Sequence, residues 1–332
     1  MAGMKLLLTN AGSYPRIGET PELQQLRRTQ AALDRKESTP ESLHAAEGAL
    51  VKAALREQEE AGLDLLTDGQ VRWGDPISHF AGKLAGIELT SLLRYFDTNF
   101  YFRQPVAKGE IKATDGRALL AEYEFAKSNS SKPVKPVLTG PLTLARHTLV
   151  EHPPYQQLEP LVRAYAQALA PELEALAHAG AEVIQLDEPA LLRHQTDFPV
   201  LQRALQMLVK HKGKAKLALY VYFGDPQPLY ERLQQLPVDI LGLDFTYNPK
   251  FAERVIALGS QKPLALGLVD GRNTRLEDPA AVAHTLDRIL LRVKGEVCYL
   301  NPSCGLEYLP RDRALAKLKL LAQIRSHTKA HK

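Results

Sequence analysis

Eight short apolar runs, each closed by a polar, glycine or proline cluster, limit what this chain can fold into more than any other feature. The clusters are Asn10-Ala-Gly-Ser13, Asp68-Gly-Gln70, Gly140-Pro141, Asp187-Glu-Pro189, Tyr220-Val-Tyr222 with Gly224-Asp225, Asp244, Asp270-Gly-Arg272 and Asn301-Pro-Ser-Cys304. The runs at 5–9, 63–67, 136–139, 182–186, 216–223, 238–243, 263–268 and 296–300 read as strands. Helical patterns fall between most of them, at 39–61, 158–179, 200–210, from 226, and at 250–258, 279–293 and 311–325. Such alternation implies parallel pairing through right-handed crossovers. Eight strands predict a closed (β/α)8 TIM barrel, whose chemistry collects at the C-terminal strand ends because the interior is packed.

The 332 residues suit one barrel spanning 1–332 with an insertion. The insertion is expected after the second strand, at about 89–132. There Tyr95-Phe-Asp-Thr-Asn-Phe-Tyr-Phe102 is β-prone, and Lys108-Gly109 and Asp115-Gly116 are turn signals for a hairpin. That hairpin is either a lid over the rim or surface packing. Apolar residues form 45% of the chain, enough for a large core. Mean hydropathy of −0.23 and no long apolar run place it off the membrane. The two cysteines, Cys298 and Cys304, make no disulfide framework, which fits a reducing cytoplasm. A net charge of +4, partly in a frayed tail at 327–332, comes with no basic–aromatic stretch suited to nucleic acid.

Adjacent carboxylates at the end of a buried strand point to opposite sides, so at most one of Asp187 and Glu188 faces the barrel centre. A carboxylate there can hold an amine or exchange protons, or it can cap the next helix. Gly12 and Ser13 offer backbone amides and a hydroxyl to a carboxylate or phosphate. Cys304 is a nucleophile, a metal ligand or an inert small residue, and His147 is the histidine best placed to approach the rim.

The motifs Ala11-Gly-Ser-Tyr-Pro15, Thr67-Asp-Gly-Gln70, Lys135-Pro-Val-Leu-Thr-Gly-Pro141, Ile184-Gln-Leu-Asp-Glu-Pro-Ala190 and Asn301-Pro-Ser-Cys-Gly305, in this order, resemble the cobalamin-independent methionine synthase family. The resemblance implies methyl transfer from a methylated folate to homocysteine or a related thiol. It implies that Gly12 and Ser13 hold the amino-acid carboxylate and Asp187 its amine, with Gln70 standing where the family has an amine-binding glutamate. The family's zinc is bound by a His-x-Cys pair, a glutamate and a distant cysteine. Those positions fall on Tyr220, Tyr222, Asp244 and Cys304, so a zinc site would be reduced to Asp244 and Cys304. Arg272 stands where the family has its proton-donating histidine.

The segments Tyr95–Tyr101, Tyr222-Phe-Gly-Asp225 and Leu268-Val-Asp-Gly-Arg-Asn273 are similar to the zinc-free N-terminal barrel of the tandem enzymes. The resemblance thus implies catalytic roles for Asp187 and Cys304. Gly12, Ser13, Gln70, Asp187, Tyr220, Tyr222 and Arg272 become substrate contacts. Two other readings follow from the departures: a non-catalytic pterin-binding subunit docked on a separate catalytic barrel, or a zinc-free enzyme of the uroporphyrinogen decarboxylase type. In the latter, Arg16, Arg72 and Arg272 would hold acidic groups.

Overall fold

Lys5–Leu8, the first strand, pairs in parallel with the last, and this pairing brings the two ends of the chain together. The structure is a computed structural model that describes residues 4–114 and 117–329. Its strands are β1 (Lys5–Leu8), β2 (Leu84–Arg94), β3 (Tyr101–Ala113), β4 (Val137–Thr139), β5 (Leu149–Val150), β6 (Val183–Asp187), β7 (Lys216–Val221), β8 (Ile240–Asp244), β9 (Leu264–Val269) and β10 (Val297–Pro302). Seven form one parallel sheet in the order β1-β10-β9-β8-β7-β6-β4. Parallel bridges from Thr9 to Leu65 and from Leu66 to Val134 join its two edges. The run at 63–67 is therefore the eighth staves' worth of a closed (β/α)8 barrel, reduced to two bridging residues. Side chains replace the rest of its ladder: Asp64 accepts from Leu8 N at 2.8 Å, and Gln58 both accepts from Thr67 N and donates to Thr67 O.

Local signals set the helix ends. Thr39 accepts from Ser42 N and Pro40 occupies the first turn of Pro40–Glu60, a cap typically worth about 1 kcal/mol. Gly62, at φ 83°, then takes the left-handed conformation that stops the chain after that helix. Helices over Gln25–Asp34, Leu120–Ser128 and Pro141–Arg146 were not legible from periodicity. The terminal helix runs to His327, two residues beyond its predicted end, so the expected tail begins helical and its last residues, 330–332, lie outside the described ones.

The barrel centre is solid. Leu65, Lys135, Val183, Ala218, Tyr220, Ile240 and Tyr299 fill it and leave no room for a water. Lys135, fully buried, donates to Gln185 Oε1 at 2.5 Å and to Tyr220 OH at 3.2 Å, and burial lowers its pKa to about 7.

The insertion is an antiparallel hairpin of β2 and β3, and it starts at Leu84 rather than at 89. Lys108-Gly109, read as a turn, lies inside β3: Gly109 faces a bulge at Gly86, where any Cβ would strike the Glu110 carbonyl. Asp115-Gly116 lies outside the described residues. The aromatic run forms the tip instead, closed by Tyr95 N to Phe100 O at 2.8 Å.

A candidate active site at the barrel mouth

Strand parity divides the adjacent acids. Gln185 and Asp187 point into the barrel, and Glu188 points out, where it accepts from Leu142 N, Thr143 N and Thr143 Oγ1 at 2.6–2.9 Å. Glu188 thereby caps the Pro141–Arg146 helix of the neighbouring unit. Gly140 is required beside it, because any Cβ there would overlap the Glu188 carboxylate. The capping option weighed for this pair falls to the glutamate.

Asp187 is the acid that faces the mouth. Its Oδ1 accepts from Gln185 Nε2 at 2.7 Å and its Oδ2 from Tyr222 OH at 3.0 Å. The same Gln185 amide donates to Ala11 O, which locks Asp187 to the Ala11-Gly-Ser13 turn. Burial pushes the Asp187 carboxyl up to about 7, against the hydrogen bonds of Gln185 and Tyr222 that favour its charge. Asn10 organises that turn, with Nδ2 donating to Gly12 O at 2.9 Å and to Thr67 Oγ1 at 3.3 Å. Gln70, at φ 50°, lays its Oε1 3.3 Å from where a Gly12 Cβ would stand. Gly12, Ser13, Gln70 and Asp187 are thus brought together as expected of one binding site.

Glu307 completes the arc and was not singled out from sequence. It lies on the loop packed against the Ser13 turn, and burial raises its pKa. The 304–308 loop is pressed on the first turn: Leu306 N donates to Ser13 O at 2.9 Å, and any side chain at Gly305 would collide with Ser13 Oγ. Its place on a strand-end loop three residues after Cys304 was the available signal.

Two of the expected contacts have partners within the protein. Tyr220 is stacked across Gly242 and bonded to Lys135. Arg272 reaches outward to Asp97 at 3.2 Å and packs over Phe223 at 5.2 Å, so its charge is engaged by the hairpin. Arg193 meets the same Asp97 at 3.3 Å. Around these pairs Tyr95, Phe96, Phe102, Phe223 and His147 pack ring to ring at 4.7–6.3 Å. His147 approaches the rim as expected, as a member of this cluster; its Nδ1 pairs with Thr143 O at 2.7 Å, and burial lowers its pKa. Tyr95 packs edge-on against Phe223 at 6.2 Å, and Phe223 against Tyr222 at 4.6 Å, so the hairpin tip lies over the strand end that holds Tyr222.

The side chains present do not fit the family's zinc. Asp244 Oδ1 is held by Thr246 N, Thr246 Oγ1 and Tyr247 N at 2.7–3.3 Å, and burial lifts its pKa to about 6. Cys304 is fully buried, donates to Gly305 O at 3.4 Å, and has its pKa raised well above the ordinary thiol value by burial. Among the described residues no three of His, Cys, Asp and Glu converge as a metal set. Tyr220 and Tyr222 supply phenols, not the imidazole and thiolate such a site requires. Asp244 and Cys304 therefore do not by themselves make up the family's zinc set, and burial leaves Cys304 a poor nucleophile.

Beside the mouth a groove of about 760 Å³ runs along Pro15, Arg16, Ile17, Phe100, Glu307 and Leu309. Glu307 lines both this groove and the Ser13 turn.

Comparison with known proteins agrees with this architecture. Curated methionine synthases of Saccharolobus islandicus and Sulfurisphaera tokodaii are 34% and 31% identical, over 96% and 93% of this chain and 93% and 88% of theirs. The fold matches a B12-independent methionine synthase from Shewanella sp. W3-18-1, solved with selenomethionine, at a TM-score of 0.79, 22% identity and 97% coverage of both chains. A vitamin-B12-independent methionine synthase from Listeria monocytogenes superposes at 0.71, with 19% identity over 97% of this chain and 98% of that one. Residues 6–326 match the model of the cobalamin-independent synthase catalytic domain, and the chain belongs to that family of methionine synthases.

Proposed function

We propose that this barrel transfers a methyl group to the sulfur of homocysteine or a close amino-acid thiol. The observation that carries the reading is the convergence of Ser13, Asp187 and Glu307 on one mouth, with Gln185 tying Asp187 to the Ala11 carbonyl. Gly12 and Ser13 receive the amino-acid carboxylate and Asp187 its amine. Tyr222, held by Asp187, presents the polar group that lies nearest the sulfur end. No step is routed through a metal, because the donor set does not suit one. The groove along Arg16 and Phe100 is the place for the methyl donor, a methylated pterin such as methyl-folate.

The hairpin acts as a lid. Ser13, Asp187, Tyr222 and Cys304 are all buried, and the aromatic tip covers them, so ligand entry requires the tip to lift. The decarboxylase-like alternative has less support, since each of its three arginines already has a contact within the protein. Arg16 donates to Trp73 O, Arg72 packs on Phe125, and Arg272 pairs with Asp97. The subunit alternative has less support than the single-chain reading, since the methionine synthase relatives match across nearly their whole length. The test is an assay of the full chain with homocysteine and methyl-folate, with methionine read by mass spectrometry. Absence of homocysteine binding in calorimetry sinks the proposal.

A further inference from the structure

Lys135 puts an amine where the barrel has no room for water. It stands just before β4, its backbone N donating to Leu66 O at 2.9 Å, and its side chain is fully buried in the solid barrel centre. Nζ donates to Gln185 Oε1 at 2.5 Å and to Tyr220 OH at 3.2 Å. Gln185, also fully buried, has both its N–H groups committed, to Ala11 O at 2.5 Å and to Asp187 Oδ1 at 2.7 Å. Only one orientation of this amide satisfies all its neighbours. Turned over, its oxygen would face the Ala11 carbonyl and the Asp187 carboxylate, and its N–H groups would face an amine that already donates. Burying an amine in this space costs desolvation that an apolar chain of similar length avoids. What the amine adds is a donor for Gln185 Oε1, otherwise a buried acceptor without a partner.

We propose that Lys135 is a positioning residue for the acceptor site. By holding Gln185 Oε1 it fixes the amide, and through the amide it fixes the spacing between Asp187 and the Ala11-Gly-Ser13 turn. Asp187 ends β6 and the turn follows β1, strands that are not neighbours in the sheet, so no shared ladder sets their separation. The Gln185 amide spans the gap instead. Without the amine its oxygen has no donor, no water can enter to supply one, and the amide is free to turn away from Asp187 and Ala11. Lys135 itself touches no ligand and acts through Gln185 alone. A carboxylate oxygen accepts more than one bond, so Asp187 receives the acceptor with Gln185 and Tyr222 still in place.

This inference rests on Asp187 and the Ala11-Gly-Ser13 turn receiving an amino-acid thiol, and the experiment separates the two claims. Homocysteine binding is measured by calorimetry on the full chain, on Lys135→Met, on Gln185→Leu and on the double variant. Glu188→Ala, which also strips a buried polar group of its partner, is the control for a merely structural loss. Lys135→Met keeps the length of the side chain and removes the donor. It is expected to weaken homocysteine about 10-fold, the lower end of what partners that orient a binding group contribute. Because Lys135 acts through Gln185, the double variant is expected to bind within about 3-fold of Gln185→Leu alone. Glu188→Ala is expected to stay within about 2-fold of wild type. Losses that multiply in the double variant overturn the positioning role and leave the acceptor assignment standing. So does unchanged affinity in Lys135→Met, or an equal loss in Glu188→Ala. A wild-type chain that does not bind homocysteine overturns both claims. If Lys135→Met does not fold, the double variant, whose apolar pair leaves no orphaned amide oxygen, decides the question against Gln185→Leu.

Discussion

Tyr222 donates its hydroxyl to Asp187 Oδ2 at 3.0 Å from just beyond the end of β7, whose register sets Asp187 opposite Tyr220. The other oxygen of the same carboxylate accepts from Gln185 Nε2 at 2.7 Å, so both oxygens are held at the mouth. Tyr222→Phe removes a hydrogen bond to a charged group, worth about 1.5–3 kcal/mol. The expected result is a loss of roughly 10- to 100-fold in kcat/KM for methyl transfer, with the thermal midpoint nearly unchanged. An unaltered kcat/KM removes Tyr222 from the site.

The pH dependence of stability follows from the same carboxylate. Burial raises Asp187 from 3.8 to about 7, so the native state binds a proton more tightly than the unfolded chain does. Its contribution is therefore most favourable below about pH 4 and is lost as pH rises through about 7. Asp187→Asn removes that loss. The variant should be more stable than wild type at pH 8 by more than about 1.4 kcal/mol, the equivalent of one pKa unit, with the difference shrinking toward pH 4. Urea titrations at both pH values measure it, and a gap that widens on acidification contradicts the assignment.

Glu188 serves folding and not chemistry. Glu188→Ala leaves the amides of Leu142 and Thr143 without their acceptor in a buried helix start. The expected cost is about 3 kcal/mol, since each orphaned buried donor costs roughly 1–3 kcal/mol. Denaturant unfolding reads the cost directly. Homocysteine affinity of the folded fraction should stay within about 2-fold of wild type, a change under 0.5 kcal/mol.

Asp97 links the hairpin tip to Arg193, at the end of the short Ala190–Arg193 helix, and to Arg272, on the loop after β9. These pairs are largely exposed, and exposed pairs contribute about 0–1 kcal/mol each. Asp97→Ala is thus expected to change stability little while making the 95–100 turn several-fold more susceptible to limited proteolysis. Equal cleavage rates in the two proteins would show that the latch does not hold the lid.

Metal content offers a further check. A site of two phenols, one capped carboxylate and a buried thiol predicts well under one zinc per chain after purification without added metal, and a thermal midpoint unmoved by chelator. Stoichiometric zinc that disappears in Cys304→Ala would overturn this reading.

Much of the fold was legible in the chain alone. Apolar runs ending in polar clusters marked the strand ends, because a packed barrel leaves only its rim for side chains such as Asp187 and Ser13. Thr39-Pro40 and Gly62 announced one helix by local capping chemistry that needs no tertiary partner. The division of labour between Asp187 and Glu188 needed the third dimension: parity allows one acid inward, and the register to the Pro141–Arg146 helix decides that the other is a cap. The same holds for Tyr220, whose depth in the barrel is set by its neighbours Lys135 and Gly242. Glu307 and Arg272 show the limit most clearly. Their placement depends on the Ser13 turn and on Asp97, each well over a hundred positions away in the chain, and only closure of the barrel and folding of the hairpin bring these segments together. Sequence determined where a rim would form, and tertiary packing decided which of its side chains face a ligand.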